Sequence, residues 1–421
     1  MSKTDYNGKN VGFNGSASGI LKIIDNPSAI ELVVKGDVVM LPQKEGGADS
    51  LLPIYKTIKL GAVGIIRDSG KVDHGSIASK ELGVPCVLMS SDFNKLKKHV
   101  GKIITINNEK IILGKHDQKQ RKLPSNNKTT RSKVKINLGF PEIIQKYPLL
   151  AEQSDGVAFA RLEFIMLDIL QNTHPFSYIN NYGEEKLSIE IAAKLKPILE
   201  QFQKHNKEVW IRTDDLSPEL LIELKDGNKY EKREANTNTG WRGIRRSIKQ
   251  PEMILPQFKA IQKLVDAGYT NIGLFPPMTY SHKEYMEWKR LAETVLDVKK
   301  IKLGLMVETP AAALTIEDFV QDIQFVVFGS NDLTQFTLAI DRNNPHLIEM
   351  FNEKEKAVLK LMKMVIDVCN RYNIETTIGG QAGSDEEMVD ILLSYGISGV
   401  SVNPDPWTVD RVRRFIESKE S

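Results

Sequence analysis

Four arginines (Arg161, Arg212, Arg242 and Arg342) and two carboxylates (Glu308 and Asp332) are the side chains of this 421-residue chain whose types could act together. Mg²⁺ and similar hard cations take oxygen ligands, usually one or two carboxylates completed by substrate and water. Arginine's planar fork grips phosphate or carboxylate bidentately, which lysine does not. Gathered in one place, the six would hold a divalent cation, Mg²⁺ foremost, together with a phosphorylated acid. Asn331, beside Asp332, and Gln381, in Gly379-Gly380-Gln381, add neutral hydrogen-bonding groups. Taken singly, each residue is more often part of a structural ion pair. The set carries the reading only if the fold brings it together.

The elements that must do so are legible as apolar runs at 134–138, 156–160, 209–211, 271–275, 301–307, 325–328, 376–378 and 399–402. Amphipathic stretches at helical spacing, such as 256–267 and 353–371, lie between most of them. Eight strands alternating with helices predict a closed (β/α)8 barrel of the TIM type, with an open doubly wound sheet as the alternative. No Gly-x-Gly-x-x-Gly follows an early strand, which weakens a dinucleotide-binding version of that sheet. In a barrel of this type chemistry gathers at the carboxyl ends of the strands. Arg161 and Glu163 follow the second run, and Arg212 and Asp214 the third. Trp241-Arg242 lies in the long connection before the fourth, and Glu308 ends the fifth. Asn331-Asp332 follows the sixth with Arg342 ten residues on, Gln381 the seventh and Asn403 the eighth.

Upstream the pattern differs. Residues 1–113 read as short strands at 21–24, 30–34, 38–41, 64–66, 87–89 and 103–106, with a short helix at 76–82 stopped by Gly83 and Pro85. Residues 114–133 are polar and basic, with too little apolar surface to fold alone, and read as a solvated linker rather than a nucleic-acid tail. Residues 134–421 form the barrel. With 57 basic and 54 acidic residues the net charge is only +3, so no electrostatic case for nucleic acid arises. Cys86 and Cys369 lack metal spacing and suggest neither zinc nor a disulfide framework. The first residues lack the apolar core of a leader, and no run approaches the ~20 apolar residues that span a bilayer. A cytoplasmic protein without membrane contact is the expectation.

Gly329-Ser330-Asn331-Asp332-Leu333-Thr334-Gln335, running on to Asp341-Arg342, resembles the phosphoenolpyruvate (PEP)-utilising enzymes: PEP synthase, pyruvate phosphate dikinase and Enzyme I of the phosphotransferase system. Ala160-Arg161-Leu162-Glu163-Phe164, Gly240-Trp241-Arg242-Gly243, Met306-Val307-Glu308-Thr309-Pro310 and Asn403-Pro404-Asp405 support the resemblance, and His174-Pro175 favours PEP synthase. It implies that Arg161, Arg212, Arg242 and Arg342 hold the phosphate and carboxylate of PEP, that Asn331 contacts the phosphate, that Gln381 lies at the substrate, and that Glu308 and Asp332 ligate Mg²⁺. The stretch from Asp68 through His74 to Pro85 resembles the family's swivelling phosphohistidine domain, which makes His74 the implied phosphoryl carrier. Imidazole suits that task, being nucleophilic at neutral pH. By analogy with relatives a homodimer is expected.

Three departures accompany the resemblance. No glycine-rich nucleotide loop precedes His74, so a separate ATP-grasp protein is the expected source of phosphoryl groups. The hydroxyl residue that usually stands two places before the histidine is Val72 here, and Ser69 replaces a glycine. The family's Ile-Cys-Gly-Gln, whose cysteine exchanges a proton with the pyruvate carbon, stands as Ile378-Gly379-Gly380-Gln381. General acid–base help is typically worth about 10²–10⁴ in rate. Three readings follow: a PEP synthase-like phosphotransferase acting on PEP and pyruvate, a catalytically impaired PEP-binding or regulatory relative, and a lyase-type reaction on an α-keto acid.

Overall fold

The structure, a computed structural model, describes residues 5–42, 51–68, 74–89, 92–116, 122–124, 128–342, 344 and 346–421. The chain divides into two compact units, Met1–Leu123 and Pro124–Ser421.

In the first unit eight strands form one sheet: β1 (Tyr6–Asn7), β2 (Lys9–Asn10), β3 (Ser16–Ile23), β4 (Val38–Leu41), β5 (Gly64–Arg67), β6 (Cys86–Leu88), β7 (Ile103–Asn107) and β8 (Lys110–Leu113). The order is β1-β8-β7-β3-β4-β5-β6-β2. Strands β3 to β6 pair in parallel and the outer strands antiparallel. A parallel strand covered on both faces must be apolar throughout, and β4 and β5 are buried at every position. The helix expected at 76–82 runs His74–Glu81. The run 30–34, expected as a strand, is instead mostly a 3₁₀ helix, Pro27–Leu32. Asn26 caps it by accepting the Ala29 N–H at 3.0 Å, and that local bond outweighs the apolar composition.

The second unit is a closed, all-parallel barrel. Its strands are β9 (Lys133–Leu138), β10 (Val157–Arg161), β11 (Val209–Arg212), β12 (Ile272–Phe275), β13 (Lys302–Val307), β14 (Phe325–Phe328), β15 (Glu375–Ile378) and β16 (Gly399–Val402). Pairing of β16 with β9, Val400 opposite Val134, closes it. The floor of its core is aromatic: Trp210 and Phe325 stack with centroids 4.0 Å apart. Gly273 and Gly304 make room for them, since a Cβ would meet Trp210 at 2.5 Å and Phe325 at 2.2 Å respectively. Lys135 is buried against this floor, its Nζ 3.1 Å from the centroid of the Trp210 ring and 2.7 Å from Glu375 Oε1.

Residues 128–132, inside the segment read as linker, belong to the barrel unit. Glu417 pairs with Lys128, and Glu420 accepts the backbone N–H groups of Arg131 at 2.7 Å and Ser132 at 2.9 Å. Both glutamates lie on the terminal helix Pro406–Glu420. Among the described residues no helix is long and apolar enough to cross a membrane.

Candidate functional site

The carboxyl ends of β10 to β15 gather most of the charged set at one mouth. Arg161 ends β10 and lies over Phe164 at 4.4 Å and Phe159 at 5.4 Å. Arg212 ends β11 and lies 4.9 Å from the same Phe159 ring. Its guanidinium donates to Glu163 and stands 3.5 Å from Asp215. Arg242 grips Asp215 with both arms, Nε at 2.8 Å and Nη2 at 2.6 Å, and reaches Asp332 Oδ2 at 3.9 Å. Arg342 stands 3.7 Å from Asp332 Oδ1. Burial works against the charge on Arg212 and Arg242, yet Glu163, Asp215, Asp332 and Glu308 more than offset it and hold both above their ordinary values.

Glu308 follows β13 and is wholly buried. Gly329 leaves it space, because a Cβ there would lie 2.7 Å from Glu308 Oε2. Its Oε1 accepts the Met278 N–H at 2.5 Å. Met278 holds φ +60, a conformation that non-glycine residues seldom adopt, and so turns its N–H toward the carboxylate. Among the described residues the buried Oε2 has no hydrogen-bond partner. Burial first, then the neighbouring Asp332 and Asp215, push this carboxyl up to about 8.

That orphaned oxygen decides whether the residues fit a divalent cation. An unpaired buried carboxylate oxygen beside a second carboxylate is costly by itself and relieved by a positive ion. Among the described residues no group of three His, Cys, Asp or Glu gathers as a metal site. Two carboxylates completed by substrate and water are the pattern Mg²⁺ accepts. In type and number Glu308 and Asp332 fit that pattern.

Asn331 lies one residue from Asp332, and a Cβ on Gly380 would stand 3.6 Å from its Nδ2. Gln381 turns to Asn403, 3.1 Å away. Asn137 pins this corner by donating to Gly380 O at 2.9 Å. His74 heads its helix in the other unit, and its side chain lies outside the described residues.

Sequence reasoning missed Asp215 and took its neighbour Asp214. Asp214 faces away: its N–H donates to Gln257 Oε1 at 3.0 Å, its carboxylate accepts from Gln257, and burial pushes it up to about 6. Both acids lie beyond the end of β11, where strand alternation no longer dictates direction, so the acid pair after Arg212 did not reveal which one turns to the mouth. Met278 gave no signal, because its contribution is a backbone N–H.

Residues 114–421 match the model of the PEP-utilising enzyme, PEP-binding domain. The chain belongs to the PEP-utilising enzymes. Phosphoenolpyruvate synthase of Pyrococcus furiosus is 36% identical over 424 residues, which are 96% of this chain and 50% of that protein. The probable phosphoenolpyruvate synthase of Archaeoglobus fulgidus is also 36% identical, over 96% of this chain and 53% of its own length. The chain spans about half the length of these curated relatives. Neither cysteine of the chain stands at the carboxyl end of a barrel strand. Cys86 is buried in the other unit, and burial in the helix Lys356–Arg371 pushes Cys369 up to about 12.

Proposed function

We propose that the barrel binds phosphoenolpyruvate or pyruvate with Mg²⁺ at this mouth. We propose further that the chain is a PEP synthase-like phosphotransferase, moving a phosphoryl group between His74 and the bound acid and charged by a separate ATP-grasp protein. The observation that carries the reading is the charged chain in which Asp215 joins Arg212 to Arg242 and Asp332 joins Arg242 to Arg342, next to the buried Glu308, whose Oε2 has no hydrogen-bond partner among the described residues. Glu308 and Asp332 would hold the cation, which supplies charge neutralisation at the phosphoryl and enolate oxygens. The arginines bind and orient the anionic acid, held ready by Asp215 and Glu163 so that little reorganisation accompanies binding. Phe159, Phe164 and Met306 wall the site with apolar surface that strengthens those contacts.

A second reading is favoured by Gly379. With no thiol at the carbon to be protonated, a PEP-binding relative that does not turn over accounts for the same arginines and carboxylates.

One experiment separates them. Full-length protein is mixed with Mg²⁺ and ³²P-phosphoenolpyruvate. Acid-labile label that disappears in His74→Ala supports the phosphotransferase, and saturable binding without label supports the second reading. Absence of both overturns the proposal. Asp332→Ala is expected to abolish Mg²⁺-dependent binding, and unchanged affinity would remove Asp332 from the metal site.

A further inference from the structure

Outside the site just described lies a buried group of polar side chains that binding and phosphoryl transfer do not use. His174 is fully buried at the turn before the helix Pro175–Tyr182. Its Nδ1 accepts the Phe176 N–H at 3.2 Å, and its Nε2 stands 2.9 Å from Glu231 Oε1. The ring stacks on Tyr230 at 4.7 Å, with planes 18° apart. Glu231 also accepts two bonds from Arg246, through Nη2 at 2.5 Å and Nη1 at 3.3 Å. All three side chains are shut off from solvent. Because Nδ1 is the acceptor that caps the helix, it carries no proton. The ring proton therefore sits on Nε2 and is donated to Glu231.

The group joins two barrel connections. His174 belongs to the one that leaves β10, where Arg161 sits. Glu231 and Arg246 belong to the long one that leaves β11 and carries Asp215 and Arg242. The same two connections are fastened through their backbones, His174 N to Lys225 O at 2.9 Å and Lys225 N to Asn172 O at 2.7 Å. From Glu231 the chain runs to Trp241, whose N–H is held by Glu234 at 3.1 Å. It then turns at Gly243, φ +64, into the short helix Ile244–Lys249 that carries Arg246. Ile244 N donates to Pro277 O at 3.0 Å. Arg242 thus lies within a loop of chain that the Glu231–Arg246 pair closes at its two ends and that the Ile244–Pro277 contact fixes two residues after Arg242.

We infer that His174, Glu231 and Arg246 form a buried latch that positions Arg242, holding the β11 connection in the one conformation that presents this guanidinium to the mouth. The three are positioning residues for the acid that the barrel binds, and the inference rests on the proposed phosphoenolpyruvate site. Burial raises the carboxyl of Glu231, but the bonds from His174 and Arg246 outweigh it and hold the group below its ordinary value. A charged latch of this kind favours one arrangement, because breaking either bond leaves the buried Glu231 carboxylate with fewer of the partners that offset its burial.

The two bonds of His174 can be removed one at a time. Asn keeps an acceptor for the Phe176 N–H but is too short to reach Glu231, whereas Gln can place an amide N–H where Nε2–H stood. Mg²⁺ and phosphoenolpyruvate are titrated into the full chain by calorimetry. His174→Asn is expected to weaken binding about tenfold, and His174→Gln to recover most of the loss. In an Arg242→Ala background His174→Asn should cost nothing further, because its effect passes through Arg242. An equal loss in both backgrounds, or no loss in either, overturns the latch. If the wild-type chain binds no phosphoenolpyruvate, the site proposal fails, and the latch is read without ligand. Phenylglyoxal should then modify Arg242, followed by peptide mass spectrometry, several-fold faster in His174→Asn than in wild type, and an equal rate overturns it. Should His174→Asn fail to fold, Glu231→Gln, which keeps an acceptor for His174 but removes the charge that Arg246 pairs with, is expected to give the same pattern.

Discussion

Gly379 is a glycine that its own backbone does not require. Its neighbour Gly380 sits at φ +83, where other residues are strained, and Gly329 must leave space for Glu308. At Gly379 a Cβ would lie 3.2 Å from Phe159 Cδ1 and 3.4 Å from Val327 Cγ1, and the backbone is in an ordinary region. These contacts ask the neighbours to give by a few tenths of an ångström. Gly379→Cys is therefore expected to fold with a loss of no more than about 1 kcal/mol, measured by urea denaturation. If the mouth enolises pyruvate, the variant should also exchange pyruvate methyl protons in D₂O faster than wild type, by up to about 10²–10⁴. Unchanged exchange by NMR would mean that the thiol does not face the bound acid. Much of the site was legible at this scale because arginine and carboxylate types announce their chemistry. Asp215 and the Met278 N–H were not, since nothing in Arg212-Thr213-Asp214-Asp215 says which acid turns inward, and a backbone donor has no letter of its own.

Strands β9 to β16 were legible because a parallel strand buried on both faces must be an unbroken apolar run. Lys135 breaks that rule. It sits in β9 among apolar neighbours, held by Trp210 and Glu375, and burial lowers its amine to about 8 from 10.5. The sign of the effect is fixed. Between pH 8 and 10.5 the unfolded chain keeps a proton that the folded barrel has released, so stability rises with pH across that window. Below pH 8 both states are charged and the burial cost is present in full, at most about 3 kcal/mol. In Lys135→Met this dependence disappears, while Glu375 keeps Lys133 at 2.8 Å. The stability of wild type relative to the variant should climb from pH 8 to pH 10, followed by urea denaturation at fixed ionic strength. A flat difference would show that the amine is not lowered. The misread element, 30–34, failed for the converse reason: one side-chain cap at Asn26 decided a short segment that composition alone assigned to a strand.

At the scale of the molecule, the boundary between units falls within the polar segment, after Leu123. The clasp on the terminal helix is the physical reason. Glu417 and Glu420 take Lys128 and the backbone of Arg131 and Ser132, and Arg413 donates to Thr130 at 3.2 Å and to Asp155 at 2.8 Å. A barrel begun at Pro124 should therefore fold and bind Mg²⁺-phosphoenolpyruvate within about twofold of the full chain. A barrel begun at Val134 loses those partners and should unfold more easily by about 1–3 kcal/mol. Equal thermal stability of the two would show that the clasp contributes nothing.

The amino-acid order by itself determined the barrel, its family and the residue types at its mouth, because hydrophobic periodicity and charge type are local properties of a chain. Which acid faces which arginine, whether Glu308 keeps an oxygen unpaired, and that His174 reaches Glu231 and through it Arg246 were decided only by the closed barrel. Those pairings join residues tens to hundreds of positions apart, and only the stagger of eight strands and the path of their connections sets the distances between them.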